Sequence, residues 1–376
     1  MRLLVTGGAG FIGRSLLRAL PPGDEVVVID ALVPEVHGLA AAFPADVAAR
    51  AHCIHCDVGD VAAWQRAAAG MDVVVHLAAL TGTGQGMYQR QRYVENNVGA
   101  TRRFCEGLAA LRSRPSLVIL ASSRAVYGEG PYRDGDQVRY PGSRSDADLA
   151  AGRWDFANAA GEALVPLPAH EEAAMQPVSV YAQTKRWQEE ALETLAAAHD
   201  FGLLVLRLQN VYGPLQQRAN PYTGIVGTFA NAMLGEGRLE LFEDGEMSRD
   251  FVFIDDVVRA LLAGIRHPGR WHHTLNVGTG RRTALRAMAA QLAAIAGVTP
   301  AVECTGRYRV GDIRHASADM RAYQALVGPW RPTPLADGLA AYMTWYGEQP
   351  PPPLADGLAL AELARHGILR TARACP

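Results

Sequence analysis

The chain has 376 residues, of which 49% are hydrophobic and 20% are charged, and this composition is typical of a folded globular protein. The formal net charge of −2 argues against a broad basic surface of the kind that binds nucleic acid or an anionic membrane. The sequence contains no uninterrupted apolar run of the roughly 18 residues that a membrane span needs, and its first apolar run is too short for a signal peptide. We therefore expect a cytoplasmic protein without nucleic-acid or membrane partners.

In the first half of the chain, short apolar runs alternate with amphipathic helical stretches, which predicts an α/β fold with a doubly wound parallel sheet. The predicted strands are Leu3–Thr6, Glu25–Asp30, His52–Cys56, Val73–Leu77, Leu117–Ala121, Leu203–Leu208 and Thr274–Val277. The predicted helices include Gly10–Leu20, Tyr93–Leu111 and Tyr181–Ala198. We expect a Rossmann domain over residues 1–212, with an irregular excursion at 129–177, to which the late strand at 274–277 returns.

The pattern changes after residue 212, where turn residues separate short elements. We expect residues 213–345 to form a smaller α/β lobe over the carboxyl ends of the strands, with a helix near Thr228–Leu234 and a hairpin at Leu239–Phe253. Residues 346–376 are expected to be a proline-rich linker and tail, in which Pro353–Ala359 repeats the sequence of Pro334–Ala340. We assign no function to the repeat.

A glycine-rich turn follows the first predicted strand and opens a helix. Its glycines, Gly7, Gly10 and Gly13, allow a tight turn, close approach of a pyrophosphate to the backbone, and close packing of the helix. Asp30 ends the second strand about 20 residues later, where a carboxylate binds the adenosine ribose hydroxyls and repels a 2′-phosphate. No Arg or Lys follows directly to receive that phosphate. The sequence therefore predicts NAD rather than NADP as the cofactor.

Three side chains form a candidate catalytic set. Tyr181 and Lys185 are four residues apart on one predicted helix, and Ser123 follows the strand at Leu117–Ala121. A nearby ammonium group, together with a positively charged nicotinamide ring, lowers the pKa of a tyrosine. His76 also ends a strand, and we interpret it as a hydrogen-bonded structural residue. The five cysteines are odd in number, and His52, Cys53 and Cys56 lie in a predicted strand without a second ligand cluster, so we predict no metal site.

These residues belong to a larger set of ordered motifs. Over residues 1–345 the chain resembles the NAD-dependent epimerase/dehydratase family, a group of extended short-chain dehydrogenases/reductases that act on nucleotide sugars. The motifs are Thr6–Gly13, Asp57-Val58, His76–Ala79, Asn97–Thr101, Ser122–Gly128, Tyr181–Lys185, Arg207–Pro214 and Arg249–Val252. Residues Asn220–Gly224 and Phe242–Phe251 are most similar to 4-epimerases of dTDP-linked 6-deoxyhexoses.

The resemblance implies a role for each matching residue. Tyr181 would be the acid/base, Lys185 its electrostatic partner, and Ser123 the residue that holds the substrate hydroxyl. The implied cofactor-binding residues are Gly7, Gly10, Phe11, Ile12, Asp30, Asp57, Val58, Leu77, Ala78, Ala79, Asn97, Tyr181 and Lys185. The implied substrate-binding residues are Ser123, Asn210, Arg249, Arg309 and Asp312. The family also implies a homodimer formed through the helices at Tyr93–Leu111 and Tyr181–Ala198.

The resemblance narrows the reaction. Dehydratases of the family carry an Asp-Glu pair after the active-site Ser or Thr, whereas this chain has Arg124 and Ala125, which cannot act as the general acid. The remaining interpretations are a nucleotide-sugar 4-epimerase that oxidises C4 transiently, and a 4-ketoreductase that consumes NADH. A protein that binds NAD without catalysis is a third hypothesis, and the intact set of Ser123, Tyr181 and Lys185 argues against it.

Overall fold

The structure is a computed structural model that describes residues 1–38, 42–218, 224–267, 271–350 and 356–373. The strands are β1 (Arg2–Thr6), β2 (Glu25–Asp30), β3 (His52–His55), β4 (Val73–His76), β5 (Leu117–Ser123), β6 (Tyr132–Asp134), β7 (Gln137–Arg139), β8 (Val165–Pro166), β9 (Gly202–Leu208), β10 (Asn210–Tyr212), β11 (Arg238–Leu241), β12 (Ser248–Arg249), β13 (Phe251–Phe253), β14 (His272–Val277), β15 (Thr283–Ala284), β16 (Ala301–Cys304), β17 (Arg307–Arg309) and β18 (Leu369–Thr371).

The helices alternate with the strands along the first half of the chain. They are α1 (Phe11–Ala19), α2 (Pro34–His37), α3 (Ala45–Arg50), α4 (Val61–Ala68), α5 (Thr83–Gly86), α6 (Arg90–Tyr93), α7 (Ala100–Ala110), α8 (Asp146–Ala150), α9 (Val180–His199), α10 (Ile225–Gly235), α11 (Ile254–Arg266), α12 (Leu285–Ala296), α13 (Arg321–Val327), α14 (Leu335–Gly347) and α15 (Asp356–Arg365). A π-helical segment (Val94–Gly99) joins α6 to α7, and a 3-10 turn (Arg124–Tyr127) follows β5.

The main sheet is parallel, and the described residues give it seven strands in the order β14-β9-β5-β4-β1-β2-β3. Its inner strands, such as β4 and β5, are rich in Val, Leu and Ile because helices cover both faces of the sheet. Along β1, Leu3 and Val5 pack with α1 and α11, whereas Leu4 faces the opposite layer with Trp64 and Phe104. The predicted α/β class with a doubly wound parallel sheet is confirmed.

A second hydrophobic cluster is formed by residues between Tyr212 and Tyr346. It packs α10, α12 and α14 around side chains such as Phe229, Met288 and Tyr342, and Phe11 and Ile12 of α1 pack against it. The helix predicted near Thr228–Leu234 lies within α10.

The predicted hairpin at Leu239–Phe253 is wrong. Strand β11 pairs in parallel with β16, β12 pairs antiparallel with β15, and β13 pairs in parallel with β10. Glu243 and Gly245 adopt positive φ angles of 55° and 83° in the turn between β11 and β12. This turn redirects the chain, so each short strand finds a different partner.

The excursion after Gly128 contains regular structure that its composition did not reveal. Strand β6 pairs antiparallel with β7 and with β8, and α8 lies between β7 and β8 in the chain. The buried guanidinium of Arg144 contacts Glu129 at 3.2 Å and Glu243 at 2.8 Å. The contact with Glu243 joins the excursion to the turn between β11 and β12.

The tail folds back onto the molecule. Helix α15 places Leu363 against Met87 and Phe242, and β18 pairs antiparallel with β17 so that Leu369 lies opposite Arg309. Residues 351–355 lie outside the described residues. They include most of the proline run at 350–353 and the start of the repeat at Pro353–Ala359.

Candidate active site

A cavity of about 790 Å³ lies at the carboxyl edge of the main sheet. Strands β1, β2, β4, β5 and β9 all end there, because parallel strands share one direction. The cavity extends from Asp30 and Asp57 at one end, past the glycine-rich turn, to Ser123, Tyr181 and Asn210 at the other. The ends of several strands and the glycine-rich turn therefore line one continuous cavity.

The glycine-rich turn forms one wall of the cavity with little room for side chains. Gly7 has a φ angle of 71°, and a Cβ atom there would lie 2.8 Å from the backbone nitrogen of Ala78. A Cβ atom at Gly13 would lie 2.5 Å from the Cα atom of Gly8. The turn and the following helix therefore fit only without side chains at these positions, and the cradle suits a pyrophosphate.

Asp30 holds this turn in place. One carboxylate oxygen accepts a hydrogen bond from the backbone N–H of Ala9 at 3.0 Å, and the other accepts one from Leu32 at 2.9 Å. His37 Nε2 approaches the second oxygen at 3.6 Å. The carboxylate lines the cavity, so its negative charge faces any group that binds there.

Asn97 lies just behind the cavity wall, with 1% of its surface exposed. Its side chain accepts a hydrogen bond from the Leu80 N–H at 2.8 Å and donates to the Leu80 carbonyl and the Thr184 hydroxyl, each at 3.0 Å. Its neighbour Asn96 lines the cavity instead. Both belong to the π-helical segment, and such segments occur frequently at functional sites.

Tyr181 lies in the first turn of α9, which begins where the Ser179 hydroxyl accepts a hydrogen bond from the Ala182 N–H at 3.2 Å. Burial raises the pKa of the Tyr181 phenol, while its interaction with the Ser123 hydroxyl and the charge of Arg124 oppose that shift. Burial is the larger effect, so the side chains alone do not produce the lowered pKa that the sequence predicted. The nearby cation that opposes burial is Arg124, which the prediction did not include.

Lys185 is 3% exposed, and its Nζ donates to the Ala121 carbonyl at 2.9 Å. Burial lowers the pKa of Lys185 to about 8, and Glu189 acts in the opposite direction. Glu189 itself is held by the Arg207 guanidinium at 2.6 Å. The ammonium group is therefore fixed at the end of β5, where it lines the cavity.

His76 is hydrogen-bonded inside the protein, as predicted. Its Nδ1 lies 2.8 Å from the Thr6 hydroxyl, and its ring stacks on Phe104 at 4.5 Å. Burial, with the nearby Lys185 charge, lowers the pKa of His76 to about 3. The ring is neutral at ordinary pH and serves as packing and as a hydrogen-bond partner.

Beyond Tyr181, a group of arginines surrounds one carboxylate. Arg249 donates to Asp312 at 2.9 Å, and its Nη atoms also bond the carbonyls of Ser248, Ile313 and Arg314. Arg309 stacks on the Phe242 ring at 4.8 Å, and its Nε has no hydrogen-bond partner. Burial raises the pKa of Asp312, but the charges of Arg249 and Arg309 outweigh it and lower the pKa below its usual value.

The structure brings most of the predicted site residues to one cavity. Those that line it are Gly7, Gly10, Phe11, Ile12, Asp30, Asp57, Val58, Leu77, Ala78, Ala79, Ser123, Tyr181, Lys185 and Asn210. Asn97, Arg249, Arg309 and Asp312 are not among the lining residues. The motif at Asn220–Gly224 lies outside the described residues, except for Gly224.

The sequence did not single out Arg124 or Gln209 as ligand-binding residues, although both line the cavity. The position of Arg124 in the sequence could have indicated a ligand contact, because a charged residue directly after an internal parallel strand lies at the ligand-binding edge of the sheet. Gln209 follows β9 in the same way, and neither of its buried side-chain polar atoms has a hydrogen-bond partner.

Among the described residues, no group of three or more His, Cys, Asp or Glu side chains is placed to hold a metal ion. None of the helices in the described part of the chain is long and apolar enough to cross a membrane.

The sequence matches the model of the NAD-dependent epimerase/dehydratase family over residues 3–146 and 156–278. It is 38% identical to a dTDP-L-rhamnose 4-epimerase of Burkholderia thailandensis, over 88% of this chain and 90% of that protein. It is 30% identical to a UDP-glucose 4-epimerase of Mycolicibacterium smegmatis, over 90% of this chain and 96% of that protein.

Solved structures show the same similarity. MoeE5 in complex with UDP-glucuronic acid and NAD superposes with a TM-score of 0.74 and 27% identity, over 93% of this chain and 99% of that chain. A double mutant of DesIV, a dTDP-glucose 4,6-dehydratase from Streptomyces venezuelae with NAD bound, gives a TM-score of 0.74 and 25% identity over 93% and 98%.

Proposed function

Because the chain belongs to the NAD-dependent epimerase/dehydratase family, we propose that it is a 4-epimerase of a nucleoside-diphosphate sugar and that its substrate is a dTDP-linked 6-deoxyhexose. The observation that carries the proposal is the single cavity that extends from the Asp30 carboxylate to the pair Ser123 and Tyr181. One site can thus hold a dinucleotide and present a sugar to a hydroxyl-bearing acid/base. The similarity to the B. thailandensis enzyme supports the choice of sugar.

The residues at one end of the cavity fit NAD, which is the cofactor of this family. The backbone of the glycine-rich turn would hold the pyrophosphate, and Asp30 would accept hydrogen bonds from the adenosine ribose. Asp57 and Val58 would contact the adenine, and Leu77, Ala78 and Ala79 would line the ribose and pyrophosphate. Bound NAD supplies a group that accepts a hydride from the sugar carbon and returns it.

The chain's own residues would move the proton. Tyr181 would take the proton of the C4 hydroxyl as the carbon is oxidised, and Ser123 would hold that hydroxyl beside it. Lys185 would bind the nicotinamide ribose and favour the ionised phenol. Because burial holds the pKa of Tyr181 above its usual value, the charge of the bound cofactor is needed to complete this shift.

The diphosphate would remain bound while the oxidised sugar ring rotates within the site. The proposed contacts are Arg309, whose Nε–H donor has no partner, and Asn210, which lines the cavity and can donate from its side-chain amide Nδ2. Arg249 would add its positive charge beside them, because its Nη atoms already donate within the protein. Asp312 would accept a hydrogen bond from the nucleotide ribose. Epimerisation follows if the sugar then presents its opposite face to Tyr181.

The lining of the cavity favours epimerisation over dehydration. Its acidic side chains among the described residues are Asp30 and Asp57, both at the cofactor end, and Arg124 and Ala125 line the sugar end. Loss of water from the sugar needs a proton donor that these two residues do not provide.

The experiment is incubation of the purified, NAD-loaded protein with dTDP-, UDP- and GDP-sugars, without added NADH and with product analysis by NMR. We expect a C4 epimer to form fastest from a dTDP-linked 6-deoxyhexose. Formation of a C4 epimer from UDP- or GDP-sugars alone would contradict the assigned substrate. Absence of any epimer, with turnover restored by stoichiometric NADH on a 4-keto sugar, would identify a reductase instead.

We also propose a homodimer formed through α7 and α9, as the family resemblance implies. Within one chain these helices lie side by side, where Gln188 of α9 donates to the Thr101 hydroxyl of α7. Light scattering of the eluted protein should give twice the mass of the chain, and a single-chain mass would exclude the dimer.

A further inference from the structure

Arg124 lies at the sugar end of the cavity. It begins the 3-10 turn after β5, next to Ser123 in the chain, and it lines the cavity. Its charge acts on Tyr181, and the charges of Arg249 and Asp312 act on it. The guanidinium is therefore near both the acid/base and the group of arginines proposed to bind the diphosphate.

This guanidinium makes no hydrogen bond or ion pair with any described residue, and its buried Nη1 atom has no partner. Three fully buried arginines behave differently. Arg207 pairs with Glu189 at 2.6 Å, Arg249 with Asp312 at 2.9 Å, and Arg314 with Glu243 at 3.0 Å. A partly buried cation without a partner is costly, and burial lowers the pKa of Arg124 to about 10. Such a group requires a functional explanation.

We propose that Arg124 is a substrate-binding residue that donates hydrogen bonds to a hydroxyl oxygen of the sugar next to the reacting carbon. The inference rests on the proposed function. The carbon that reacts must lie at Tyr181, and the diphosphate must lie toward Arg249 and Arg309, so the sugar ring spans the distance between them. Arg124 lines the cavity near both, and its guanidinium donates to no acceptor among the described residues, so its donors are available to a bound sugar.

The chemistry of the guanidinium suits this role. It offers five N–H donors in a rigid plane, so it can hold a sugar oxygen in more than one orientation of the ring, as epimerisation requires. A lysine at this position would offer one compact charge on a flexible stem and would restore only part of the binding. Because an arginine stands where dehydratases of the family carry an acidic residue, this position cannot donate the proton that dehydration needs.

The test compares the parent protein with Arg124→Ala, Arg124→Lys and Arg124→Gln, each loaded with NAD. Calorimetry measures the affinity for the nucleotide sugar that the parent epimerises and for the matching nucleoside diphosphate alone. Arg321→Ala is the matched control, because that side chain is 86% exposed and lies outside the cavity. Melting temperature and NAD content show which variants are folded.

We expect Arg124→Ala to bind the nucleotide sugar about 10- to 100-fold more weakly, the range for loss of a charged hydrogen bond, and to bind the nucleoside diphosphate within about threefold of the parent. Arg124→Lys should recover part of the loss, and Arg321→Ala should match the parent. If Arg124→Ala does not fold, Arg124→Gln carries the same expectation, because it keeps a polar side chain of intermediate length but loses the charge.

Two results would overturn the inference. Unchanged affinity for the nucleotide sugar would show that Arg124 does not touch it, and an equal loss for the nucleoside diphosphate would place the guanidinium on a phosphate. In both cases the parent still epimerises, so the proposed function stands. A parent that binds and epimerises no nucleotide sugar would overturn the function and this inference together.

Discussion

The carboxylate of Asp30 accepts a hydrogen bond from the backbone N–H of Ala9 at 3.0 Å, which joins the end of the second strand to the glycine-rich turn. Asp30 therefore has two functions that a substitution can separate. Its charge would select against a 2′-phosphate, and its oxygens hold the turn that would receive the pyrophosphate.

The first prediction concerns cofactor choice. The parent should bind NAD far better than NADP, and Asp30→Asn should narrow the difference, because the charge is lost while one side-chain oxygen can still accept from Ala9. Asp30→Ala should in addition weaken NAD itself by about tenfold, since a hydrogen bond of a charged group contributes about 1.5–3 kcal/mol. Dissociation constants for both cofactors provide the measurement. Equal affinities in the parent would refute the assignment.

The second prediction concerns the acid/base. Tyr181→Phe removes one oxygen and should keep nucleotide-sugar binding while turnover falls by about 10²–10⁴. Tyr140→Phe is the control, because Tyr140 is partly buried in the excursion and does not line the cavity. Steady-state kinetics and calorimetry on both variants provide the comparison. A Tyr181→Phe enzyme within a few-fold of the parent would mean that another residue moves the proton.

The third prediction concerns the fate of the hydrogen on C4. If the hydride leaves and returns within one site, a substrate with deuterium at C4 gives a product that keeps the deuterium there. None should be gained from heavy water, and the reaction should proceed without added NADH. NMR and mass spectrometry of the product decide the matter. Loss of the label, with one NADH consumed per product, would favour a 4-ketoreductase.

The fourth prediction concerns Asn97. Asn97→Ala removes three hydrogen bonds that join Leu80 to Thr184, and leaves their buried partners unsatisfied. We expect a loss of about 2–4 kcal/mol in the free energy of unfolding, together with a lower NAD content. Asn96→Ala, whose side chain lines the cavity, should lose less stability. Urea unfolding measures both variants, and equal losses would show that Asn97 has no special structural role.

The fifth prediction concerns pH and His76. Burial and the Lys185 charge hold the pKa of His76 near 3, whereas an unfolded histidine titrates near 6.5. Below about pH 6.5 the unfolded chain binds a proton that the folded protein cannot, so stability falls as the pH decreases toward 3. Between pH 7 and 5 the free energy of unfolding should fall by about 2 kcal/mol more in the parent than in His76→Gln. Parallel urea titrations would disprove this if the two proteins lost stability equally.

The sequence by itself determined the class of fold and was enough to predict one half of the candidate site. Buried parallel strands are continuous apolar runs, and in the helices between them the apolar residues recur every three to four positions. Both patterns can therefore be recognised in a short stretch of sequence. The glycine-rich turn and Asp30 are equally local, because each depends on backbone conformation or on the end of a single strand. The pair Tyr181 and Lys185 was predictable for the same reason, because the two residues lie one turn apart on a single helix.

Only the tertiary structure decided which distant residues meet. Residues 239–253 contain three short strands, and nothing local could indicate that each pairs with a different, distant partner. The pKa of Tyr181 is likewise a property of its surroundings, because burial outweighs the nearby charges. In the sequence, nothing distinguishes Arg124 from the other arginines as a residue without a partner. Its lack of any partner, which marks it as a ligand-binding group, depends on where every other charged side chain of the described chain lies.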